Sequence, residues 1–161
     1  TMRAQPAPTQ MLIRISDSAT IQDAARLMCD MSMGCLGVDD DAHEFIGFIT
    51  ERDVMWAAAQ GKDPLTTHVA SIANDFPIIL DGPISIDEAA STMVTAHVRH
   101  LLVREAGDIR VLSMRDLFLE HLRPADRSFD AHLASVAEMY RMFGEAIRAR
   151  EVTTPAEVKI D

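Results

Sequence analysis

The chain has 161 residues, of which 48% are apolar and 25% charged, and its 15 Lys and Arg against 25 Asp and Glu give a formal net charge of −10. A chain of this length can bury enough surface to fold without disulfides or metal ions, which argues against disorder as its main state. The acidic balance excludes nucleic acid as a general partner, because that affinity depends on many Lys and Arg contacts to phosphate.

Residues 1–10 begin with Thr-Met and show no apolar core of a signal peptide, so we expect them to be disordered or a remnant outside the fold. The two cysteines, Cys29 and Cys35, are typical of buried thiols in a reducing compartment because no His cluster or CxxC pair accompanies them. The longest apolar run, residues 76–80, is far shorter than the roughly 20 residues that a membrane span needs. We therefore expect a cytoplasmic protein that does not enter the membrane.

An internal repeat organises the chain. Residues 21–28 (IQDAARLM) match residues 86–93 (IDEAASTM) at an offset of 65. The offset falls to 63 where residues 49–53 (ITERD) match residues 112–116 (LSMRD), so we expect the hairpin of the second copy to be two residues shorter. The predicted organisation is a first repeat over 11–61, a connection over 62–74, a second repeat over 75–123, and a C-terminal helix and tail over 124–161.

The first repeat predicts a strand, a helix, two strands and a second helix. The helix spans about residues 20–33, from its apolar spacing, with Thr20 as N-cap and Gly34 as the C-terminal stop. The other predicted elements are a strand over 12–15, strands over 35–38 and 45–49 that meet across the acidic turn 39–41, and a helix over about 51–60.

The second repeat predicts the same order of elements, followed by a further helix. Its elements are a strand over 78–80, a helix over 86–98, strands over 100–104 and 109–113, and a helix over 114–122. The turn at 105–108 contains Gly107, which permits positive φ. Beyond Pro124, an apolar seam predicts a helix over 128–150 that must be covered by its own chain or by a partner. The seam residues are Phe129, Leu133, Val136, Tyr140, Phe143 and Ile147.

Over residues 11–123 this repeat resembles a tandem pair of cystathionine-β-synthase-type (CBS) domains. The most specific part is residues 47–53 (GFITERD), which is similar to the family signature of Gly, apolar, x, Thr or Ser, x, x, Asp at a strand-to-helix junction. The second copy has Arg110 where the family prefers Gly, but keeps Ser113 and Asp116. The resemblance implies an α/β (α+β) fold in which two β-α-β-β-α repeats pack with pseudo-twofold symmetry, plus a C-terminal helix.

The residues at each junction suit a sugar. A hydroxyl at the end of a strand and a carboxylate three residues later, as in Thr50 with Asp53 and Ser113 with Asp116, converge at a helix N-terminus. An ionised Asp can accept hydrogen bonds from ribose hydroxyls, while Arg side chains and helix N-termini favour phosphates. The same spacing also produces ordinary helix N-capping, and both interpretations stay open.

The resemblance implies two unequal ligand clefts between the repeats. The second-repeat cleft would use Arg99, His100, Ser113, Arg115 and Asp116, and would draw on Met11, Leu12 and Ile13. The first-repeat cleft would use Thr50, Arg52 and Asp53, and would draw on Asp75, Phe76, Pro77 and Ile78. For Arg99 and His100 a solvated strand edge is the alternative, and for the other two arginines solvation or ion pairing.

Metal and catalytic sites are not expected. His97 and His100 have no further convergent ligand, and the turn 39–41 lacks the spacing of a calcium loop. Phosphate-loop, nucleophile-elbow and zinc-protease motifs are not found in the sequence, so we do not expect an enzyme.

By resemblance, the function is regulatory binding of AMP, ADP or ATP, or less readily of S-adenosylmethionine or a NAD-type molecule, with no required cofactor. Binding would shift a conformational equilibrium that a regulated protein partner reads. A homodimer is expected because isolated CBS pairs resemble halves of a larger disc. The alternative is a ligand-independent dimerisation or protein-interaction module, which Arg110 and the uncharged segment 33–35 favour.

Overall fold

The computed structural model describes residues 5–122, 137–138 and 141–142. The elements of this described part are β1 (Gln10–Met11), β2 (Arg14–Ser16), α1 (Ile21–Met31), β3 (Cys35–Asp39), β4 (Phe45–Thr50), α2 (Glu51–Ala59), β5 (Ile79–Asp81), α3 (Ile86–Ala96), β6 (His100–Glu105), β7 (Asp108–Ser113) and α4 (Met114–Leu122). The chain divides into two compact units: a first unit of residues 11–79, and a second unit that combines the chain up to residue 10 with the chain from residue 80. The mixed α/β fold agrees with the prediction.

The first unit is a three-stranded sheet covered by helices. Its strand order is β2-β3-β4, with β2 parallel and β4 antiparallel to the central β3. Helix α1 begins after Thr20, and its apolar residues Ile21, Ala24 and Met28 are buried. Burial of this apolar face stabilises the unit. The core side chains are Ala24, Met28, Leu36, Val38, Ile49 and Val69.

The second unit has a four-stranded sheet in the order β1-β7-β6-β5. Helix α3 begins after Ser85, whose hydroxyl accepts a hydrogen bond from the Glu88 amide. The core of this unit is built from side chains of α3, α4, the central strands and the N-terminal segment. Its buried members are Ala7, Ile84, Ala89, Met93, Leu101, Val103, Leu112 and Leu117.

The change of offset within the repeat is a shorter hairpin, as predicted. Cys35 pairs with Thr50 across the first hairpin, and His100 pairs with Ser113 across the second. Ala106 and Gly107 alone connect β6 to β7, with φ values of 51° and 84°. A turn with two positive φ angles matches the twist of the strands it joins, so this hairpin closes with two residues.

The N-terminal segment differs from the expectation for residues 1–10. The Ala7 amide donates to the Ile84 carbonyl at 2.8 Å, and Ala7 is 8% exposed in the core of the second unit. The Val69 amide donates to the Ala19 carbonyl at 2.8 Å in the first unit in the same way. Residues 5–10 therefore hydrogen-bond to the segment before α3, as the connection between the repeats hydrogen-bonds to the segment before α1. Such a segment is too short for apolar periodicity to show in the sequence.

The predicted C-terminal helix falls mostly outside the described residues. Residues 137–138 and 141–142 are helical, and the Arg141 guanidinium forms an ion pair with Glu138. The six residues of the apolar seam all lie outside the described residues, so the seam stays a prediction. Of the part of the chain that the structure describes, no helix is long and apolar enough to span a membrane.

Candidate functional site

The first strand-to-helix junction joins β4 to α2. Asp53 Oδ2 accepts hydrogen bonds from the Thr50 amide at 2.7 Å and from the Thr50 hydroxyl at 2.8 Å, and the Asp53 amide donates back to the hydroxyl at 3.4 Å. The other carboxylate oxygen, Oδ1, accepts no hydrogen bond from the described residues. Both side chains are half-buried, so one polar acceptor at the N-terminus of α2 is left for a ligand.

The second junction joins β7 to α4 and has the same core geometry. Asp116 Oδ2 accepts from the Ser113 amide at 2.8 Å and from the Ser113 hydroxyl at 2.6 Å. Its Oδ1 differs from that of Asp53, because the Gln10 side-chain amide donates a hydrogen bond to it. Both oxygens of Asp116 are therefore engaged within the chain, whereas Asp53 has one oxygen engaged.

A third pair shows how much of this geometry is helix capping. At the start of α1, Asp23 Oδ2 accepts from the Thr20 amide at 3.0 Å and from its hydroxyl at 2.8 Å. Hydrogen bonds from the Thr20 backbone, and next from its hydroxyl, lower the pKa of Asp23 below its ordinary value. All three pairs are capping boxes. The two junction pairs differ from the Thr20 and Asp23 pair in the chain segments that lie next to them. These neighbouring segments make the junctions candidate sites.

Gly47 brings a second segment against the first junction. Phe48 and Asn74 exchange backbone hydrogen bonds of 2.9 and 2.8 Å. A Cβ on Gly47 would lie 3.1 Å from the Asn74 carbonyl oxygen, which is tighter than an ordinary contact, so a residue without a side chain suits this approach. The predicted site residues 75–78 therefore begin directly beside β4.

Those four residues offer mostly exposed surface. Phe76 is 89% exposed, Ile78 is 42% exposed, Asp75 is exposed and Pro77 is half-buried. The side-chain carbonyl of Asn74 accepts from the Phe76 amide at 3.0 Å, which fixes the turn that presents the ring. Residues 75–78 therefore follow directly after the residue that pairs with β4, and Arg52 is half-buried in the first turn of α2.

Arg110 occupies the position in β7 that Gly47 occupies in β4, and it contacts the N-terminal segment through its side chain. Its Nε donates to the Thr9 hydroxyl at 2.9 Å, and its Nη2 donates to the Thr9 carbonyl at 3.1 Å. The departure from Gly therefore fastens the N-terminal segment alongside β7 through a side chain. Met11, 65% exposed, continues this segment as the last residue of β1.

Leu12 and Ile13 lie in the first unit. Leu12 is 5% exposed, and its side chain packs where a Cβ on Gly37 would lie, 2.9 Å away. The Ile13 carbonyl accepts from the Gly37 amide at 2.8 Å. Both residues thus support β3.

The basic residues of the second junction lie next to its helix. The Arg99 carbonyl accepts from the Met114 amide at 2.9 Å, which joins the residue before β6 to the first residue of α4. His100 pairs with Ser113, and Arg115 is exposed in the first turn of α4. The structure therefore gathers Arg99, His100, Ser113, Arg115 and Asp116 at one helix N-terminus. Positive side chains at a helix N-terminus favour a bound anion.

The acidic turn after β3 is a folded turn. Asp40 accepts from the amides of Ala42 and Glu44, each at 2.9 Å, and Asp39 pairs with Arg14 at 2.7 Å. Among the described residues, no group of three or more His, Cys, Asp and Glu side chains could hold a metal ion.

Two polar residues at the second junction, Thr9 and Gln10, were missed by the sequence analysis. Both lie in residues 1–10, which the sequence analysis expects to be outside the fold. The repeat itself could have revealed them. When the offset of 65 is extended towards the N-terminus, Gln10 aligns with Asp75 and Thr9 aligns with Asn74. Strands β2 and β5 begin and end at residues related by that same offset.

The chain is similar to CBS-domain proteins. The CBS domain family model matches residues 7–60. Hypoxic response protein 1 of Mycobacterium tuberculosis is 30% identical over 90 residues, which cover 55% of this chain and 63% of that protein. Matches to curated relatives span between 19% and 69% of the lengths of those proteins.

Solved structures share the fold over most of the chain. An uncharacterised conserved protein from Pyrococcus horikoshii is 23% identical with a TM-score of 0.69, and the match covers 80% of this chain and 100% of that one. The CBS domain protein PAE2072 from Pyrobaculum aerophilum, solved in complex with AMP, is 24% identical with a TM-score of 0.60, covering 82% and 93%. Residues 7–60 therefore match the CBS domain family, and the chain has the fold of a solved CBS-domain protein.

Proposed function

We propose that the chain is a regulatory module that binds an adenosine-containing nucleotide, AMP, ADP or ATP. The observation that carries this proposal is the paired junction: in each repeat a hydroxyl and a carboxylate meet at a helix N-terminus beside a second, partly exposed segment. The AMP complex of the similar protein PAE2072 supports the ligand class. S-adenosylmethionine and NAD-type molecules share the adenosine group and are secondary candidates.

At the first junction, Asp53 is the proposed ribose acceptor. Its Oδ1 is open to a sugar hydroxyl, while Oδ2 stays bonded to Thr50, so binding does not require the cap to open. The Phe76 ring, 89% exposed and two residues after the Asn74 that pairs with β4, is the proposed apolar face for an adenine. Arg52 in the first turn of α2 is the proposed phosphate contact.

At the second junction, Ser113 and Asp116 are the corresponding sugar contacts. Arg99, His100 and Arg115 are the proposed phosphate contacts, because they lie around the N-terminus of α4. This arrangement has more positive charge than the first junction and favours ligands with more phosphate groups.

The proposed mechanism is a population shift and involves no catalysis. A nucleotide that binds one arrangement of the chain more tightly than another raises the population of that arrangement, and a partner protein reads the change. We propose that this takes place in the cytoplasm, which suits two cysteines, exposed Cys29 and buried Cys35, that are not joined in a disulfide.

Calorimetric titration with AMP tests the site assignment. We expect Asp53→Ala and Asp116→Ala each to weaken binding at its own junction by about tenfold or more, because a hydrogen bond to a charged acceptor is worth about 1.5–3 kcal/mol. Asp23→Ala is the matched control, since it removes the same capping geometry at α1 and leaves both junctions intact. Equal loss of affinity in all three variants would assign the carboxylates to folding alone.

A homodimer is the second candidate role, and one observation favours it. Trp56 on α2 and Leu119 on α4 are 59% and 50% exposed, and the repeat offset of 63 makes them equivalent positions. Exposed apolar side chains at equivalent positions suit a symmetric contact between copies. We expect sedimentation to show a dimer that the double variant Trp56→Glu, Leu119→Glu dissociates. An unchanged mass would remove these helices from the contact.

A further inference from the structure

The second junction carries an intrachain hydrogen bond that the first junction lacks. The Gln10 side-chain amide donates to Oδ1 of Asp116, while Oδ2 of the same carboxylate is held by Ser113. An ionised carboxylate is an acceptor with two oxygens, and here both are directed to groups of the chain itself. A sugar hydroxyl that approaches Asp116 meets an acceptor that is already in use.

Gln10 is positioned for this contact by the residues before it. The Thr9 hydroxyl donates to Glu105 at 2.8 Å, and Arg110 donates to both the hydroxyl and the carbonyl of Thr9. Ala7 is buried and bonded to Ile84 at 2.8 Å. These contacts fix the backbone just before Gln10, so its side-chain amide is held near Asp116 at a small cost in conformational entropy.

The equivalent position of the first repeat has the opposite chemistry. The offset of 65 relates Gln10 to Asp75, as it relates β2 to β5. An ionised Asp75 has no proton to donate to Asp53, and Asp53 Oδ1 accepts no hydrogen bond from the described residues. A donor stands at this position in one repeat and an acceptor in the other.

We infer that Gln10 is an intrachain competitor for the sugar contact of Asp116, so that the second junction binds its ligand less tightly than it would without Gln10. This inference rests on the proposed function and adds to it a lowered affinity at the second junction that one residue sets. A ligand reaches the second carboxylate only when its hydroxyl replaces the Gln10 amide. A single amide that is exposed to solvent can be displaced, so Gln10 lowers affinity without closing the site.

The test is calorimetric titration with AMP in an Asp53→Ala background, which leaves the second junction as the binding site. Gln10→Met removes the donor and keeps the side-chain length, and Gln10→Ala removes both. We expect both changes to lower the Kd of AMP by about threefold to tenfold, which is the range of one modest hydrogen bond. Gln5→Ala is the matched control, because Gln5 lies in the same segment and donates instead to Glu120 at 2.9 Å.

The outcomes separate this inference from the proposed function. An unchanged or higher Kd in both Gln10 variants, with binding still lost in Asp116→Ala, overturns the competitor role and leaves the nucleotide site standing. Absence of AMP binding in every variant and in the parent chain overturns both. As a second readout, AMP should shift the side-chain amide resonances of Gln10 more than those of Gln5, and equal shifts would contradict the displacement.

Discussion

At the scale of single residues, one position of the repeat is filled by residues of opposite size. Gly47 in β4 lets the Asn74 backbone approach, whereas Arg110 in β7 uses its guanidinium to hold Thr9. The two choices are two ways of fastening a neighbouring segment beside a strand. In this chain, Gly47 therefore accompanies a close backbone approach, and Arg110 at the equivalent position holds the neighbouring segment through its side chain.

Gly47→Ala should destabilise the first unit. Its Cβ would lie 3.1 Å from the Asn74 carbonyl oxygen, and a backbone group cannot move aside as a flexible side chain can. We expect a loss of about 1–3 kcal/mol in the free energy of unfolding, as for other overpacked interiors. Gly61→Asn is the control, because nothing lies within 4 Å of that position and Asn tolerates its φ of 70°. Equal stability of Gly47→Ala and the parent in urea would contradict the close approach.

Thr20→Ala should raise the pKa of Asp23 only part of the way to its ordinary value. The Thr20 backbone amide is the larger cause of the lowered pKa and survives this change, while the hydroxyl is lost. Because the folded-state pKa is the lowered one, the cap stabilises the fold above the ordinary carboxylate pKa and this contribution is lost as pH falls through the lowered pKa. Carboxyl NMR titration measures the change. A complete return to the ordinary value would assign the effect to the hydroxyl.

At the scale of elements, sequence periodicity predicted most of the fold. Helices α1 to α4 and strands β3, β4, β6 and β7 lie within two residues of their predicted limits, because each carries an apolar face of clear period. The end of α1 was predicted less well: the left-handed C-cap is Ser32 with φ 51°, and Gly34 lies two residues later. His97, at the same offset of 65, caps α3 with φ 55°. A left-handed polar residue leaves no compositional signal of the kind that Gly does.

The N-terminal segment is the element that the sequence did not reveal, and its role can be tested. Ala7→Asp places a charge among Ile84, Ala89 and Met93, so we expect a loss of at least about 2 kcal/mol. Hydrogen exchange should show the loss of protection in β6 and β7 and much less in β3 and β4, since these strands belong to different units.

Gln5→Ala is the control for this change, because Gln5 is exposed and its loss should alter stability by no more than about 0.5 kcal/mol. Equal loss of protection in both sheets would contradict the assignment of residues 5–10 to the second unit.

At the scale of the whole molecule, the two copies of one sequence pattern have different contacts around the same hydroxyl and carboxylate pair. The hydroxyl and carboxylate of each junction could be predicted from spacing, because a strand end and a first helical turn bring such residues together. The occupancy of Asp116 Oδ1 by Gln10 could not, since it depends on a contact between residues 106 positions apart. Sequence similarity between the copies therefore predicts the shared hydroxyl and carboxylate pair better than the contacts that surround each pair.

Thermal unfolding with and without nucleotides is the measurement that tests the central claim most directly. AMP, ADP, ATP, S-adenosylmethionine and NADH are compared with GMP as the guanine control. A ligand at 100 times its Kd adds about 2.7 kcal/mol to the folded state, which should raise Tm by roughly 5–11 °C in a chain of this size. We predict a rise with adenosine ligands that is lost in the double variant Asp53→Ala, Asp116→Ala and kept in Asp23→Ala. No rise with any of them, or an equal rise with GMP, would contradict an adenosine-binding module and favour the ligand-independent interaction role.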